Sequence, residues 1–307
     1  MNCKLLPYKK KPILSAQDLR QKLDWGIQAF RLPEAWAHAE GEGVVIAVID
    51  TGCDITHPDL VDNLLPGINF VQPGEPPIDD GEHGTHITGI ICATNNSVGV
   101  VGVAPKAKVR PVKVLDADGN GEVNDVAKGI RWAIDQKVDF ISMSLGSPHK
   151  IPQVRRAIKK ALDAGIVVFA AAGNMGKSKE LLYPANYPET ISIGAIGKDM
   201  KRADFSNTGL NLDFLAPGVD ILSTVPDNWY AILSGSSMAQ PFVCGLAALI
   251  LSYKRKKNLQ FPLATPNDYR KLFQQHTINV VGETYAGDKF FQGFGIITVD
   301  KLLTMIT

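Results

Sequence analysis

Residues 242–251 form an apolar run without a single charged side chain. Drawn as a helix, this run has no polar face, so it must be buried through the middle of a domain. Small residues precede it and place Ser237 at the amino terminus of that helix, where unpaired backbone N–H groups face a ligand or water. Such a serine is either a helix cap or a nucleophile whose oxyanion the N–H groups stabilise. An isolated serine favours the cap, and a base and an orienting acid elsewhere are needed to reverse this.

Alternating strands and helices supply the layers that could bury this helix. Residues 43–49 are rich in β-branched side chains and predict a buried parallel strand that ends at Asp50. Further strands are predicted at 109–115, 138–143, 166–172 and 191–196, and helices at 87–93, 123–134 and 154–164. This order predicts an α/β fold of three layers, α/β/α, with a mostly parallel central sheet. Asp50 then lies at the carboxyl end of its strand, where sites form in open sheets.

The first 22 residues differ from the rest of the chain. They are polar and basic, contain two prolines and show no clear apolar face, and folded structure is predicted to begin near Trp25. We therefore predict an N-terminal extension at 1–22, resembling a propeptide, and one catalytic domain at 23–307.

The composition limits the kinds of binding partner and the cellular compartment that we expect for this protein. The net charge is +1, so no broad field favours nucleic acid or an anionic membrane surface. No stretch of about twenty apolar residues predicts a membrane span, and no secretory signal is visible at the start. The four cysteines are scattered without metal-type spacing, so we expect buried, reduced thiols in a cytoplasmic protein.

Four segments carry catalytic residue types in one order. They are Asp50-Thr51-Gly52, His83-Gly84-Thr85-His86, Ala172-Gly173-Asn174 and Gly235-Ser236-Ser237-Met238-Ala239-Gln240-Pro241. Together they resemble the subtilisin family of serine proteases, the subtilases, whose chain order is Asp, His, Ser. The resemblance covers about residues 20–305 and implies a serine endopeptidase.

The resemblance also implies a role for each catalytic residue. Ser237 would attack the scissile carbonyl while His83 takes its proton, and Asp50 would orient the imidazole. Asn174 would donate its amide to the oxyanion beside the backbone N–H of Ser237. His86 competes with His83 for the role of base, but the family uses the first histidine of the motif, so His86 is assigned a structural role. The family usually has Thr at Ser236 and His at Phe242, and neither departure touches the chemistry.

Substrate would bind as an extended strand between two backbone edges. By the resemblance these edges are Gly119, Asn120 and Gly121 on one side and Ser144, Leu145 and Gly146 on the other. Leu182 falls at the rim of the primary specificity pocket, which predicts an apolar or aromatic preference. Protein and peptide substrates are therefore the expected partners.

The loop at residues 95–100 resembles the calcium loop of the family. The match predicts a structural Ca²⁺ held by the side chains of Asp59 and Asn96 and by the carbonyls of Thr94, Val98 and Val100, with Gln21 a further candidate. An ion-free loop is the alternative. A second, weaker cation site could use Asp213 with carbonyls near Ala185 and Tyr187.

The segment Leu5-Leu6-Pro7-Tyr8 resembles a short segment near the start of intracellular subtilisins. There it lies across the active site and keeps the zymogen inactive, and Pro7 would hinder its cleavage. The alternative is a disordered tail. This branch is often dimeric, so a homodimer is among the expected partners. Two other functions stay open: a subtilase dedicated to one precursor, and an inactive subtilase-like binding protein.

Overall fold

The computed structural model describes residues 2–11, 14–15, 20–176, 179–282 and 284–298. Within these ranges the strands are β1 (Asn2–Leu5), β2 (Lys9–Lys10), β3 (Leu14–Ser15), β4 (Val45–Asp50), β5 (Ile68–Asn69), β6 (Lys108–Lys113), β7 (Asn120–Glu122), β8 (Phe140–Met143), β9 (Leu145–Gly146), β10 (Val167–Ala171), β11 (Ile191–Ile196), β12 (Phe214–Pro217), β13 (Ile221–Val225), β14 (Trp229–Ser234), β15 (Thr277–Ile278) and β16 (Ile296–Ile297). The helices are α1 (Trp25–Ala29), α2 (Leu32–Trp36), α3 (His83–Cys92), α4 (Val123–Asp135), α5 (Pro152–Asp163), α6 (Ser236–Lys256), α7 (Pro266–Gln274) and α8 (Lys289–Gln292), with a 3₁₀ turn at Val61–Asn63.

A nine-stranded sheet forms the middle layer among the described residues. Its strand order is β15-β16-β12-β11-β10-β8-β4-β6-β5, and every neighbouring pair is parallel except β15 with β16. β4 lies between β6 and β8, so its carboxyl end opens in the interior of the sheet. The predicted parallel sheet is confirmed.

The two faces of the sheet carry separate apolar cores. Along β4, Ile46 and Val48 pack with α3, α6 and α7, whereas Ala47 and Ile49 pack with α4 and α5. Successive side chains of a strand point to opposite faces, so a continuous apolar strand must be covered on both. The three-layer α/β/α prediction is therefore confirmed.

Helix α6 is the buried helix that the apolar run predicts. Its most apolar 18-residue window has a mean hydropathy of 1.3 and is 100% buried inside the protein. It is the one helix in the described chain that is long and apolar enough to cross a membrane. Phe242, one of the two departures noted above, packs edge-on against Phe30 with ring centroids 5.3 Å apart.

The antiparallel hairpin of β13 and β14 was not predicted. Its strands pair from Ile221–Leu233 to Val225–Trp229, and β14 runs directly into the start of α6. On its other edge β14 pairs with β2 and β3 from the N-terminal segment.

The prediction that the N-terminal extension has no apolar face is wrong for the part that the structure describes. Cys3 and Leu6 are buried at 0% and 1% exposure, and β1, β2 and β3 each pair with strands of the domain. Residues 1, 12–13 and 16–19 of the extension lie outside the described residues. The boundary between residues 22 and 23 stays a prediction.

Candidate active site

Three elements bring the predicted catalytic residues to one edge of the sheet. Asp50 is the last residue of β4, His83 is the first of α3, and Ser237 is the second of α6. All three are buried, at 0–1% exposure. This edge is where the carboxyl ends of the parallel strands meet, as expected for a site in an open α/β sheet.

Asp50 and His83 form a direct pair. The ring Nδ1 of His83 lies 2.8 Å from Oδ1 of Asp50, and that oxygen also accepts a hydrogen bond of 2.8 Å from the backbone N–H of Thr51. Because a carboxylate only accepts, Nδ1 of His83 carries the proton of this hydrogen bond. Neither Nε2 of His83 nor Oγ of Ser237 has a hydrogen-bond partner among the described residues, so the link from His83 to Ser237 is not formed in this arrangement.

Asp79, a buried carboxylate that was not predicted, links the end of β4 to the first turn of α3. Asp79 accepts from the Thr51 hydroxyl at 2.8 Å and from the backbone N–H and hydroxyl of Thr85 at 2.8 and 2.6 Å. Thr51 follows Asp50 and Thr85 lies in the first turn of α3. Burial raises the pKa of Asp79 above its ordinary value. The position of Asp79 four residues before His83 was the one sequence feature that could have suggested this role.

Lys113 is a second buried group that the sequence analysis passed over. It is 1% exposed, and its ammonium donates to the carbonyls of Thr51 and Leu115 at 2.6 and 3.1 Å and to Asp80 at 2.6 Å. Lys113 ends β6 beside Asp50, because the next two backbone N–H groups turn to the Asp50 carbonyl. The predicted strand 109–115 therefore stops two residues early.

Asn174 is oriented by the start of α6. Its Oδ1 accepts from the backbone N–H of Ser236 at 2.8 Å, which leaves Nδ2 pointing into the cleft. There Nδ2 donates to the carbonyl oxygen of Pro7 at 2.7 Å. The hydroxyl of Ser236 accepts from the backbone N–H of Gly173 at 3.0 Å, so the serine at this departure has a structural contact.

Pro241 lies inside α6 and removes one helical hydrogen bond. A proline lacks the N–H that would pair with the carbonyl four residues earlier, here that of Ser237. The hydroxyl of Ser144 lies 3.1 Å from that carbonyl and 3.1 Å from Oε1 of Gln240. Ser144 thus links a predicted substrate edge to the backbone of Ser237.

His86 lies apart from the pair of Asp50 and His83. Its Nε2 is 3.2 and 3.1 Å from the carbonyls of Ile221 and Ala231, beneath the β13–β14 hairpin. Burial lowers the pKa of His86 to about 3, so the ring is neutral at neutral pH. These contacts support the structural role expected for it.

The two predicted substrate edges hold the N-terminal segment between them. β1 pairs antiparallel with β7 on one side and with β9 on the other. Lys4 lies opposite both Asn120 and Gly146, Leu5 lies opposite Leu145, and the Leu5 N–H donates to the Gly119 carbonyl at 2.7 Å. At Gly119, whose φ is +72°, an added Cβ would lie 2.6 Å from Cβ of Leu5. The edge therefore needs glycine for close backbone approach.

Beyond β1, Leu6 and Tyr8 cover the remaining cleft. Leu6 forms a small buried cluster with Ala171 and Leu182, the predicted pocket-rim residue. The Tyr8 ring lies over His83 with centroids 5.3 Å apart, and its hydroxyl donates to Glu82 at 2.9 Å. Leu5, Leu6, Pro7 and Tyr8 thus lie across the predicted catalytic residues. That they inhibit the protein stays a prediction.

The predicted calcium residues surround one buried carboxylate. Asp59 is 0% exposed and accepts from Nδ2 of Asn96, the N–H of Val100 and the hydroxyl of Tyr230, each at 2.9 Å. Gln21 contacts the same loop through the Thr94 carbonyl at 3.1 Å. Among the described residues Asp59 has no ion pair, and no group of three or more His, Cys, Asp or Glu side chains could hold a metal.

The expected second cation site has a different occupant. Both carboxylate oxygens of Asp213 accept from the Arg270 guanidinium, at 2.8 and 3.0 Å. The charge of Asp213 is therefore balanced by Arg270, which occupies the position expected for the cation.

Comparisons with known proteins agree with this geometry. The sequence profile of the subtilase family matches residues 41–295. An intracellular serine protease of Paenibacillus polymyxa is 43% identical over 88% of this chain and 84% of its own length. Subtilisin E of Bacillus subtilis is 42% identical over 92% of this chain and 72% of its own length. The major intracellular serine protease of Bacillus subtilis is 39% identical over 94% of this chain and 92% of its own length.

Proposed function

Because the chain belongs to the subtilase family of serine peptidases, we propose that it cleaves internal peptide bonds through an acyl-enzyme formed on Ser237. The observation that carries this proposal is the 2.8 Å pair of His83 and Asp50 beside Ser237 at the amino terminus of α6.

Ser237 is the proposed nucleophile and His83 the proposed base. A serine hydroxyl is a poor nucleophile at neutral pH, so Nε2 of His83 takes its proton during attack and later delivers it to the leaving amine. Asp50 holds the proton on Nδ1 and stabilises the imidazolium that forms. The carboxylate of Asp79 keeps Asp50 and His83 in place through Thr51 and Thr85.

The oxyanion would be stabilised by Nδ2 of Asn174 and the backbone N–H of Ser237. The first is pre-oriented because its carbonyl oxygen is held by Ser236. Donors fixed in advance do not have to reorganise as charge develops, which is the main source of their effect on the rate.

We further propose that Leu5, Leu6, Pro7 and Tyr8 inhibit the enzyme by binding as a substrate does. Leu6 fills the pocket formed with Ala171 and Leu182, but the carbonyl that reaches Asn174 belongs to Pro7, one residue further on. The peptide bond after the pocket residue is therefore not the one that the oxyanion donor engages. Such a segment occupies the cleft and resists cleavage.

A structural Ca²⁺ is proposed at the loop around Asp59. A fully buried carboxylate contacted only by neutral donors needs a cation to balance its charge, and hard oxygen ligands suit calcium. Asp59 and Asn96 would contribute side-chain oxygens, and Thr94, Val98 and Val100 backbone carbonyls, with Gln21 a further candidate. The ion would stabilise the loop and has no part in the chemistry.

Protein and peptide substrates and a cytoplasmic location complete the proposal. Two of the relatives are named intracellular proteases, which supports that location. A homodimer stays a prediction from the resemblance. A cleavage profile on a peptide library would separate a general endopeptidase from one dedicated to a single precursor.

Labelling with a fluorophosphonate tests the proposal directly. We expect the reagent to label the full-length chain, to label it faster after residues 1–20 are removed, and to leave the Ser237→Ala variant unlabelled. That variant should be folded and inert. Substantial peptidase activity in Ser237→Ala would refute the assignment, and folded protein that stays unlabelled after residues 1–20 are removed would favour an inactive binding protein.

A further inference from the structure

The N-terminal segment continues beyond the catalytic residues along a second edge. Lys9 and Lys10 of β2 pair with Ser234 and Leu233 of β14, and the Lys11 N–H donates to the Ile232 carbonyl at 2.9 Å. This edge lies on the side of the cleft that receives the leaving half of a substrate, because it follows Pro7 and Tyr8 in the bound segment. The segment therefore shows the path of a long peptide on that side.

Two acidic side chains meet the lysines of this path. The Lys10 ammonium forms an ion pair with Glu82, which also accepts from the Tyr8 hydroxyl. The Lys11 ammonium lies 2.5 Å from Oδ2 of Asp220. Each carboxylate has a supported position: Glu82 is the residue before α3, and Asp220 is anchored through its backbone N–H and Oδ1 to the Ser234 hydroxyl at 2.8 and 3.3 Å.

A third carboxylate and an exposed ring lie beside them. A surface groove next to Glu82 is lined by Asp227 and Trp229, and 42% of Trp229 is exposed. The leaving-group side thus presents negative charge and an apolar ring to an extended chain.

We propose that Glu82 and Asp220 are specificity residues that select substrates with lysine or arginine at the third and fourth positions after the pocket residue. The inference rests on the proposed peptidase function. Lys10 and Lys11 are the third and fourth residues after Pro7, whose carbonyl Asn174 holds as it would hold that of a substrate's pocket residue, so the bound segment places basic side chains at these positions. The same two carboxylates bind the lysines of the segment before it is cut from the domain, and bind the basic side chains of substrates once the segment has dissociated.

The test uses the full chain with its own segment displaced. Leu6→Glu places a charged side chain at an apolar pocket, and the cost of burying that charge displaces the segment from the cleft. Lys10→Ser and Lys11→Ser, added together, remove the competing lysines. Two quenched fluorescent peptides that differ only at the third and fourth positions after the pocket residue, Lys-Lys against Gln-Gln, are then compared by kcat/KM.

We expect the Lys-Lys peptide to be cleaved about three- to tenfold better at low salt, the range for two partly exposed ion pairs. The preference should decline as salt rises, because the screening length shrinks to about 3 Å at 1 M. Glu82→Gln or Asp220→Asn should each reduce the ratio, and both together should bring it close to one. Asn also tolerates the positive φ of +56° at Asp220. The matched control is Asp163→Asn, an exposed aspartate at the end of α5, which should keep the full ratio.

A second measurement needs no displaced segment. In the otherwise wild-type chain, a double-mutant cycle of Lys11→Ser and Asp220→Asn is read by the rate of fluorophosphonate labelling. Each single change should speed labelling, and the double change should add little. Equal cleavage of the two peptides, or purely additive effects in the cycle, would overturn the proposal. If neither peptide is cleaved and no variant is labelled, the peptidase function itself fails.

Discussion

Replacing Leu6 by alanine should release the active site of the intact chain. Leu6 is 1% exposed and contacts Ala171 and Leu182, so its side chain is almost wholly removed from water when the segment is bound. Burial of one carbon is worth about 0.8 kcal/mol, so the three carbons lost in Leu6→Ala cost the bound state about 2.4 kcal/mol. The ratio of closed to open molecules should fall roughly 60-fold.

The rate of fluorophosphonate labelling measures this ratio, because the reagent reaches Ser237 only in open molecules. Leu6→Ala should therefore label tens of times faster than the wild type. Lys4→Ala is the matched control: Lys4 lies two residues before Leu6 in the same segment and pairs with Asn120 and Gly146, but its side chain is exposed. It should label within twofold of the wild type. A Leu6→Ala rate within twofold of the wild type, or an equal rise in Lys4→Ala, would refute the reasoning.

Three further predictions concern the edge, a buried histidine and the ion. Gly119→Ala should speed labelling by the small reagent yet lower kcat/KM for a peptide at least about tenfold, equivalent to 1.4 kcal/mol, since the new Cβ meets segment and substrate alike. An unchanged kcat/KM would count against β7 as a substrate edge. In Ser237→Ala protein, His86 has a folded pKa of about 3 against 6.5 unfolded, so the unfolded chain alone gains a proton as pH falls below 6.5. The free energy of unfolding should fall by about 1.6 kcal/mol more between pH 6.5 and 5 than in the same protein carrying His86→Asn; parallel curves from denaturant titrations would contradict this. A chelator should lower the melting temperature by roughly 5–10 °C, from about 2.7 kcal/mol of ion binding. Asp59→Asn should abolish that shift while the nearby exposed Asp62→Asn retains it; a shift that persists in Asp59→Asn would exclude the site.

The central layers were predictable from the sequence because their signal is local. A parallel strand buried on both faces reads as a continuous apolar run, so the runs around 43–49 and 191–196 identify β4 and β11 without any partner. The β13–β14 hairpin was not predicted because Ser223 and Thr224 interrupt its apolar residues. Their hydroxyls donate hydrogen bonds to carbonyls of α3, which is far away in sequence.

The catalytic motifs were visible in the sequence, but their supporting residues were not. Lys113 and Gln240 act through contacts with residues that lie 62 and 98 positions away, so no spacing reveals these contacts. The burial of Cys3 and Leu6 in the N-terminal segment was not predicted for another reason. Four residues of β1 are too few to show a period, and the apolar partners of Cys3 and Leu6 all belong to the domain.

Because the N-terminal segment is part of the same chain, the contacts of β2 and β3 with β14 need only a low affinity to keep it in the cleft. A segment tethered to its own site experiences an effective concentration in the millimolar range, so modest affinity keeps the cleft filled at any protein concentration. One cut between the segment and the domain turns the same contacts into an association between separate molecules. A closed-to-open ratio of about 60 at an effective concentration of about 1 mM corresponds to a dissociation constant of roughly 20 μM, so at about 1 μM protein the separated segment is mostly dissociated. In the proposed mechanism of inhibition, activation by a single cleavage would therefore be made irreversible by dilution alone, without further change in the domain.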